Sequence, residues 1–152
     1  MINVILVEQR LGLISGYLKD LKRLASLPRD EFLSDSLKVA AAESFLRRSL
    51  EAVFDVGRHV LAKSGFIELA AEYKSIARGL ADRRFIDQDL GKALVEMAGY
   101  RNRLVHLYSE IAGDELYSII AGRLDDIGEF VRQIRASACA GESQTKPPLS
   151  GT

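Results

Sequence analysis

The sequence predicts an all-α protein, an antiparallel four-helix bundle plus a short extra helix. Three observations carry this. Apolar residues recur every three or four positions along most of the chain, with no strand-like alternation of useful length. Only three prolines occur, and two of them, Pro147 and Pro148, lie near the C-terminus. Helices of ~20–30 residues joined by short connections favour antiparallel neighbours.

The first helical stripe runs Val4, Val7, Leu11, Ile14, Leu18, Leu21, Ala25, and Pro28 stops it. The second runs Val39, Ala42, Leu46, Ser49, Val53, Val56, Val60 and ends near Gly65; Ser49 is its one polar member. Ser34 or Asp35 can cap its start. A shorter helix is expected over Glu68 to Leu80, with Gly79 and the run Asp82-Arg83-Arg84 marking its end. Asp87 caps a fourth helix expected to reach about Tyr108. Gly113 and Asp114 then give a stop and a new cap, and one last helix carries Leu116, Ile120, Leu124, Ile127, Val131 and Ile134. Residues 1–136 form one helical domain. Residues 137–152 are small, polar and without a period, so a disordered tail is expected there.

With 152 residues, the chain has the size of one domain. At 47% apolar and 28% charged, it can bury a core and stay solvated. Twenty-one basic and 21 acidic side chains cancel, which excludes a generically basic nucleic-acid coat but not a local basic site. A single cysteine, Cys139, excludes an intrachain disulfide framework and a cysteine-based zinc site. Two histidines, His59 and His106, make no multi-histidine metal site, and no Gly-rich nucleotide loop is present. The apolar run Val4–Val7 is too short for a leader core or a membrane span. A cytoplasmic protein that needs no metal or other cofactor is the expectation.

Charge is unevenly spread. Residues 74–103 carry seven basic side chains against four acidic, whereas residues 104–131 carry one basic and six acidic. Two solvated faces would explain this; so would a basic patch beside the fourth helix, suited to a phosphate backbone. Arg84, Lys92 and Arg103 are the candidate RNA contacts.

The fourth helix breaks its own pattern. Its stripe is Leu90, Leu94, Met97, Arg101, Leu104, Tyr108, and Arg101 is the one member that does not belong at a packed interface. A charge there is costly unless paired or partly wet. It is either an Arg reaching a carboxylate or an anion-binding Arg in a cleft. His106 follows five residues later, about 140° round a regular helix at ~100° per residue. One regular helix does not aim both at one point; a helix end or a second subunit can. Asn102 and His106 share a face at i and i+4, as do Arg101 and Tyr108 at i and i+7. This set suits RNA strand cleavage. The histidine exchanges protons with the ribose 2′-hydroxyl or the leaving 5′-oxygen near neutral pH, and the arginine holds the phosphate. With one suitable histidine per chain, an acid–base pair needs two chains, as in a symmetric dimer.

The run Arg101-Asn102-Arg103-Leu104-Val105-His106-Leu107-Tyr108 resembles the R-x4-H-x-Y motif of HepT-like toxins, which belong to the HEPN superfamily of all-helical ribonucleases. The resemblance covers about residues 2–136. It implies a HEPN-like fold and a homodimer with the motif near its interface. It implies a metal-independent endoribonuclease, the toxin of a type VII-like toxin–antitoxin system, acting on RNA and in some members on transfer RNA. It implies a partner, an MntA-type nucleotidyltransferase antitoxin, that neutralises the toxin by adding AMP to the motif tyrosine. Carried over by position, Arg101 and His106 are the catalytic pair, Asn102 supports them and Tyr108 accepts AMP. Asp55 and His59, at i and i+4 on the second helix, either line the same cleft or form a solvated pair. Two other readings stand beside the enzyme: a non-catalytic helical partner of a nucleotidyltransferase, and a plain structural bundle. The intact Arg/His pair favours the enzyme.

Overall fold

The computed structural model describes residues 1–106 and 111–139, and all of its regular structure there is helical. The elements are α1 (Val4–Ala25), α2 (Arg29–Leu33), α3 (Ser36–Lys63), a 3₁₀ turn (Ile67–Ala70), α4 (Tyr73–Asp82), α5 (Gln88–Val105), α6 (Gly113–Gly122), α7 (Leu124–Ile134) and a closing π-helical turn (Arg135–Cys139).

Polar caps set three of the helix starts. The side chains of Asn3, Asp35 and Asp87 accept from the amides of Leu6, Leu37 and Leu90 at 3.1, 3.0 and 2.8 Å. Of the two candidates before α3, Asp35 is therefore the cap. The Asp87 cap is tied in turn to α7: its amide donates to Gln133 Oε1 and its carboxylate accepts from Gln133 Nε2, at 2.8 and 2.9 Å.

Four arms run alternately up and down. The Asn3 amide donates to His59 Nε2 at 3.0 Å, which sets the start of α1 beside the end of α3. Glu8 near the start of α1 pairs with Arg135 at the end of α7. The Gln133–Asp87 bonds join the end of α7 to the start of α5. The arms α1, α3, α5 and α6–α7 thus make the bundle, and α4 is the extra helix. It lies parallel to α3, Tyr73 packing on Phe54 and Gly79 on Leu61, and α5 folds back antiparallel to it. The layers are close: a Cβ built on Gly57 would stand 2.6 Å from Ile76 Cγ2, and one on Gly91 would stand 2.7 Å from Ala81 Cβ. Leu11, Ile14, Leu21, Leu46, Leu50, Phe54, Leu61, Ile76, Leu80, Leu94 and Phe130 fill the centre. Buried Ser49 is satisfied by donating to the Phe45 carbonyl at 2.8 Å.

Several boundaries differ from expectation. Beyond Pro28 the chain forms α2 rather than a plain loop. The helix expected over Glu68–Leu80 splits into the 3₁₀ turn and α4, and α4 passes through Gly79 because that glycine lies against Leu61 and Leu69. It closes instead in a paired-bond C-cap at Arg84: the Arg84 amide donates to Ala81 O and the Phe85 amide to Leu80 O. α5 ends at Val105 rather than Tyr108, since His106 is already extended with ψ 126°. Gly113 is the first residue of α6 and no side chain caps that helix; Asp114 sits in its first turn. The single last helix is broken at Arg123, which follows Gly122 and is held by Glu96 at 2.9 Å and Asp126 at 3.3 Å. Ser137–Cys139, expected in the tail, belong to the closing turn: Ala138 and Cys139 are buried, and the Ser137 hydroxyl donates to Phe85 O at 2.8 Å. The rest of the expected tail lies outside the described residues.

Candidate active site at the end of α5

α5 enters the core through Leu90, Leu94, Met97 and Ala98, and the next turn brings Arg101 to the α3–α4 boundary. There its side chain is 19% exposed. Nη2 donates to Glu51 Oε1 at 3.4 Å and Nη1 to Asn102 Oδ1 at 3.4 Å. The guanidinium carbon stands 4.1 Å from the centre of the Tyr73 ring. Tyr73 is braced edge-on by Phe54, with centroids 5.1 Å apart, and Arg58 lies near the same ring at 5.6 Å. The Arg101 Nε is buried and has no hydrogen-bond acceptor among the described residues. Arg101 thus reaches a carboxylate, as the first of its two readings has it. Both of its bonds are long, and Glu51 is 40% exposed, so water and a ligand can reach the pair. The last carbonyls of α5 carry partial negative charge and favour a cation here.

His106 is the residue at which the helix lets go. Its amide still donates to Asn102 O at 3.2 Å, but its extended backbone frees the side chain from helical phase. The imidazole is exposed and makes no hydrogen bond among the described residues. Asn102 and His106 therefore share no continuous helix face. Tyr108 lies outside the described residues.

The remaining candidates separate. Arg103 on α5 makes a two-pronged ion pair with Glu115 of α6, Nη2 to Oε2 being 2.7 Å. Those bonds raise the arginine pKa and hold the Glu115 carboxyl below its usual range. The pair ties together the two helices on either side of the His106 segment. Arg84 and Lys92 are exposed, and neither forms an ion pair among the described residues. They sit away from Arg101, toward the other end of α4 and α5. Asp55 pairs with Arg58 at 3.4 Å, and it is Arg58 that lies near the Tyr73 ring. His59 does not join it: its Nε2 accepts from Asn3, and burial, Lys63 and the N-terminal ammonium lower its pKa. Among the described residues no group of three or more His, Cys, Asp and Glu is placed to hold a metal. Sequence reasoning missed Glu51 and Tyr73. Both lie 28 or more residues from Arg101, and no spacing rule links them to it.

An all-helical bundle with an Arg and a His at the end of a late helix points to the class of helical ribonucleases. A model of the HepT-like ribonuclease family matches residues 14–134, and the chain belongs to that family. The tRNA nuclease HepT of Aphanizomenon flos-aquae (strain 2012/KM1/D3) is 28% identical over 135 residues, spanning 89% of this chain and 91% of that protein. The mRNA nuclease HepT of Shewanella oneidensis is 29% identical over 91 residues, spanning 60% and 68%. Among solved structures, the tri-AMPylated Shewanella oneidensis HEPN toxin in complex with MNT antitoxin matches with TM-score 0.75 and 23% identity, over 90% of this chain and 99% of that one. The cytosolic YutE of Bacillus subtilis matches with TM-score 0.76 and 22% identity, over 97% and 96%. At these identities the structural matches speak to the fold. Family membership settles the enzyme class: the chain is a HepT-like ribonuclease. No described helix is long and apolar enough to cross a membrane.

Proposed function

We propose that this chain is the endoribonuclease toxin of a type VII-like toxin–antitoxin pair, and that it cuts RNA with Arg101 and His106 without a metal or other cofactor. The observation that carries this is the helix end at Val105. It releases His106 from the helical phase that would turn it away from Arg101, while Arg101 stays partly accessible beside the Glu51 carboxylate.

In this mechanism neutral His106 takes the proton of a ribose 2′-hydroxyl. The 2′-oxygen attacks the adjacent phosphorus, and the bond from phosphorus to the 5′-oxygen breaks. That oxygen takes a proton from a second acid, leaving a 2′,3′-cyclic phosphate and a 5′-hydroxyl. Arg101 carries the charge that grows on the phosphoryl oxygens, and Asn102 steadies the guanidinium. His59 is occupied by Asn3, so the second acid comes from a second copy of the chain. The working unit is a homodimer. Arg84 and Lys92 add electrostatic hold on the RNA; Arg103 adds less, being committed to Glu115. The substrate is transfer RNA, as for the Aphanizomenon relative. The partner is an MntA-type nucleotidyltransferase antitoxin, and the residue it modifies with AMP is Tyr108. The protein works in the cytoplasm.

The test is RNA cleavage by purified wild type, Arg101→Ala and His106→Ala in EDTA, with light scattering at micromolar concentration. Loss of the histidine should cost about 10²–10⁴-fold, with the helical signal retained. Full activity in either variant, or activity lost to EDTA, would overturn the assignment. A monomer that cleaves normally would remove the two-chain site.

A further inference from the structure

We infer that Tyr73 is a positioning residue for Arg101: its ring is the shelf that holds the guanidinium while leaving the N–H edges free for a phosphate. This rests on Arg101 being the phosphate-binding residue of the ribonuclease.

Three observations converge on the ring. The guanidinium carbon lies over it at 4.1 Å, whereas both oxygen contacts of Arg101 sit at 3.4 Å, the long end for a hydrogen bond. The buried Nε has no oxygen acceptor among the described residues, so the negative face of the ring is what offsets its burial. The ring cannot easily drift. Phe54, fully buried in α3, meets it edge-on at 5.1 Å, and Arg58 borders it at 5.6 Å. Tyr73 is also the first residue of α4, so the shelf is anchored to a helix that packs against both α3 and α5. A planar guanidinium stacked this way gives up its face and keeps its edges. A phosphate can then replace the long contact to Glu51 while the stack and the Asn102 bond persist.

The test is steady-state RNA cleavage by a series at position 73. Tyr73→Phe should keep kcat and its pH profile, because the hydroxyl plays no part. Phenylalanine carrying one, three and then five ring fluorines keeps the shape but drains the face of negative charge. It should lower kcat stepwise, to about tenfold at the end of the series, with KM little changed. Tyr73→Leu should lose about as much as the fully fluorinated ring, and neither change should add to the loss in an Arg101→Ala background. A flat response to fluorination, or a Leu variant with wild-type kcat, overturns the shelf. If the Leu variant does not fold, the fluorine series decides alone. A wild-type protein that fails to cleave RNA counts against the ribonuclease reading instead, so the two failures are told apart.

Discussion

Arg84 offers a prediction that can be worked from the backbone. α3 and α4 end in the same paired-bond C-cap: Phe66 and Gly65 donate to Leu61 O and Ala62 O, as Phe85 and Arg84 donate to Leu80 O and Ala81 O. The motif needs a left-handed residue before the closing aromatic. α3 supplies Gly65 at φ +91°, but α4 supplies Arg84 at φ +65°. A Cβ in this region costs about 1–2 kcal/mol. Glycine removes that cost but brings back about 0.5–1 kcal/mol of unfolded-state freedom. Losing the cation beside the α4 C-terminus costs about 0.3 kcal/mol more. Arg84→Gly should therefore gain about 0.5 kcal/mol net. Arg84→Ala loses the same charge and keeps the strain, so Gly should exceed Ala by about 0.7 kcal/mol, a melting difference of about 2–3 °C. Urea and thermal denaturation of the three proteins measure this. RNA binding at several salt concentrations separates the other role, since both variants should weaken affinity equally if Arg84 contacts phosphate. A glycine variant no more stable than the alanine variant would refute the strain argument.

His59 has its pKa lowered from 6.5 by burial, Lys63 and the N-terminal ammonium. The unfolded chain therefore binds its proton more readily, and stability should fall as pH drops below 6.5 toward the folded value; His59→Gln should flatten that slope in melts taken between pH 7.5 and 5. Gly91→Ala places a Cβ 2.7 Å from the Ala81 Cβ, which no rotamer change can move. Overpacking of about 1–3 kcal/mol less about 1 kcal/mol of helix propensity should leave a net loss near 1 kcal/mol in urea unfolding, partly recovered by adding Ala81→Gly. Tyr108→Phe should keep toxicity and escape neutralisation by a cognate nucleotidyltransferase with ATP, with mass spectrometry finding no AMP on its peptide; a Phe variant neutralised like wild type would exclude Tyr108 as the acceptor.

Much of the protein was legible in order along the chain. The stripes of α1 and α3 are local periodic patterns, and a helix face is set by neighbours three and four residues away, so Val7, Leu11, Ile14, Leu18 and Leu21 are buried as read. Asp87 is a cap for the same local reason. The anomaly at Arg101 was visible because a charge on an apolar stripe needs a partner wherever it sits. What the stripe could not name was the partner, since Glu51 and Tyr73 meet Arg101 only when α3, α4 and α5 pack. Tertiary structure likewise decided the helix ends. Gly79 looked like a stop and instead fits a close approach to Leu61 and Leu69. The single last helix breaks at Arg123, whose side chain is held by Glu96 on another helix. His59 and His106 are alike as letters. One accepts from the Asn3 amide and is partly buried, and the other is left exposed where α5 stops. Local sequence specifies periodicity and caps because those interactions span one helical turn; the company a side chain keeps across helices is set by packing, which one turn cannot encode.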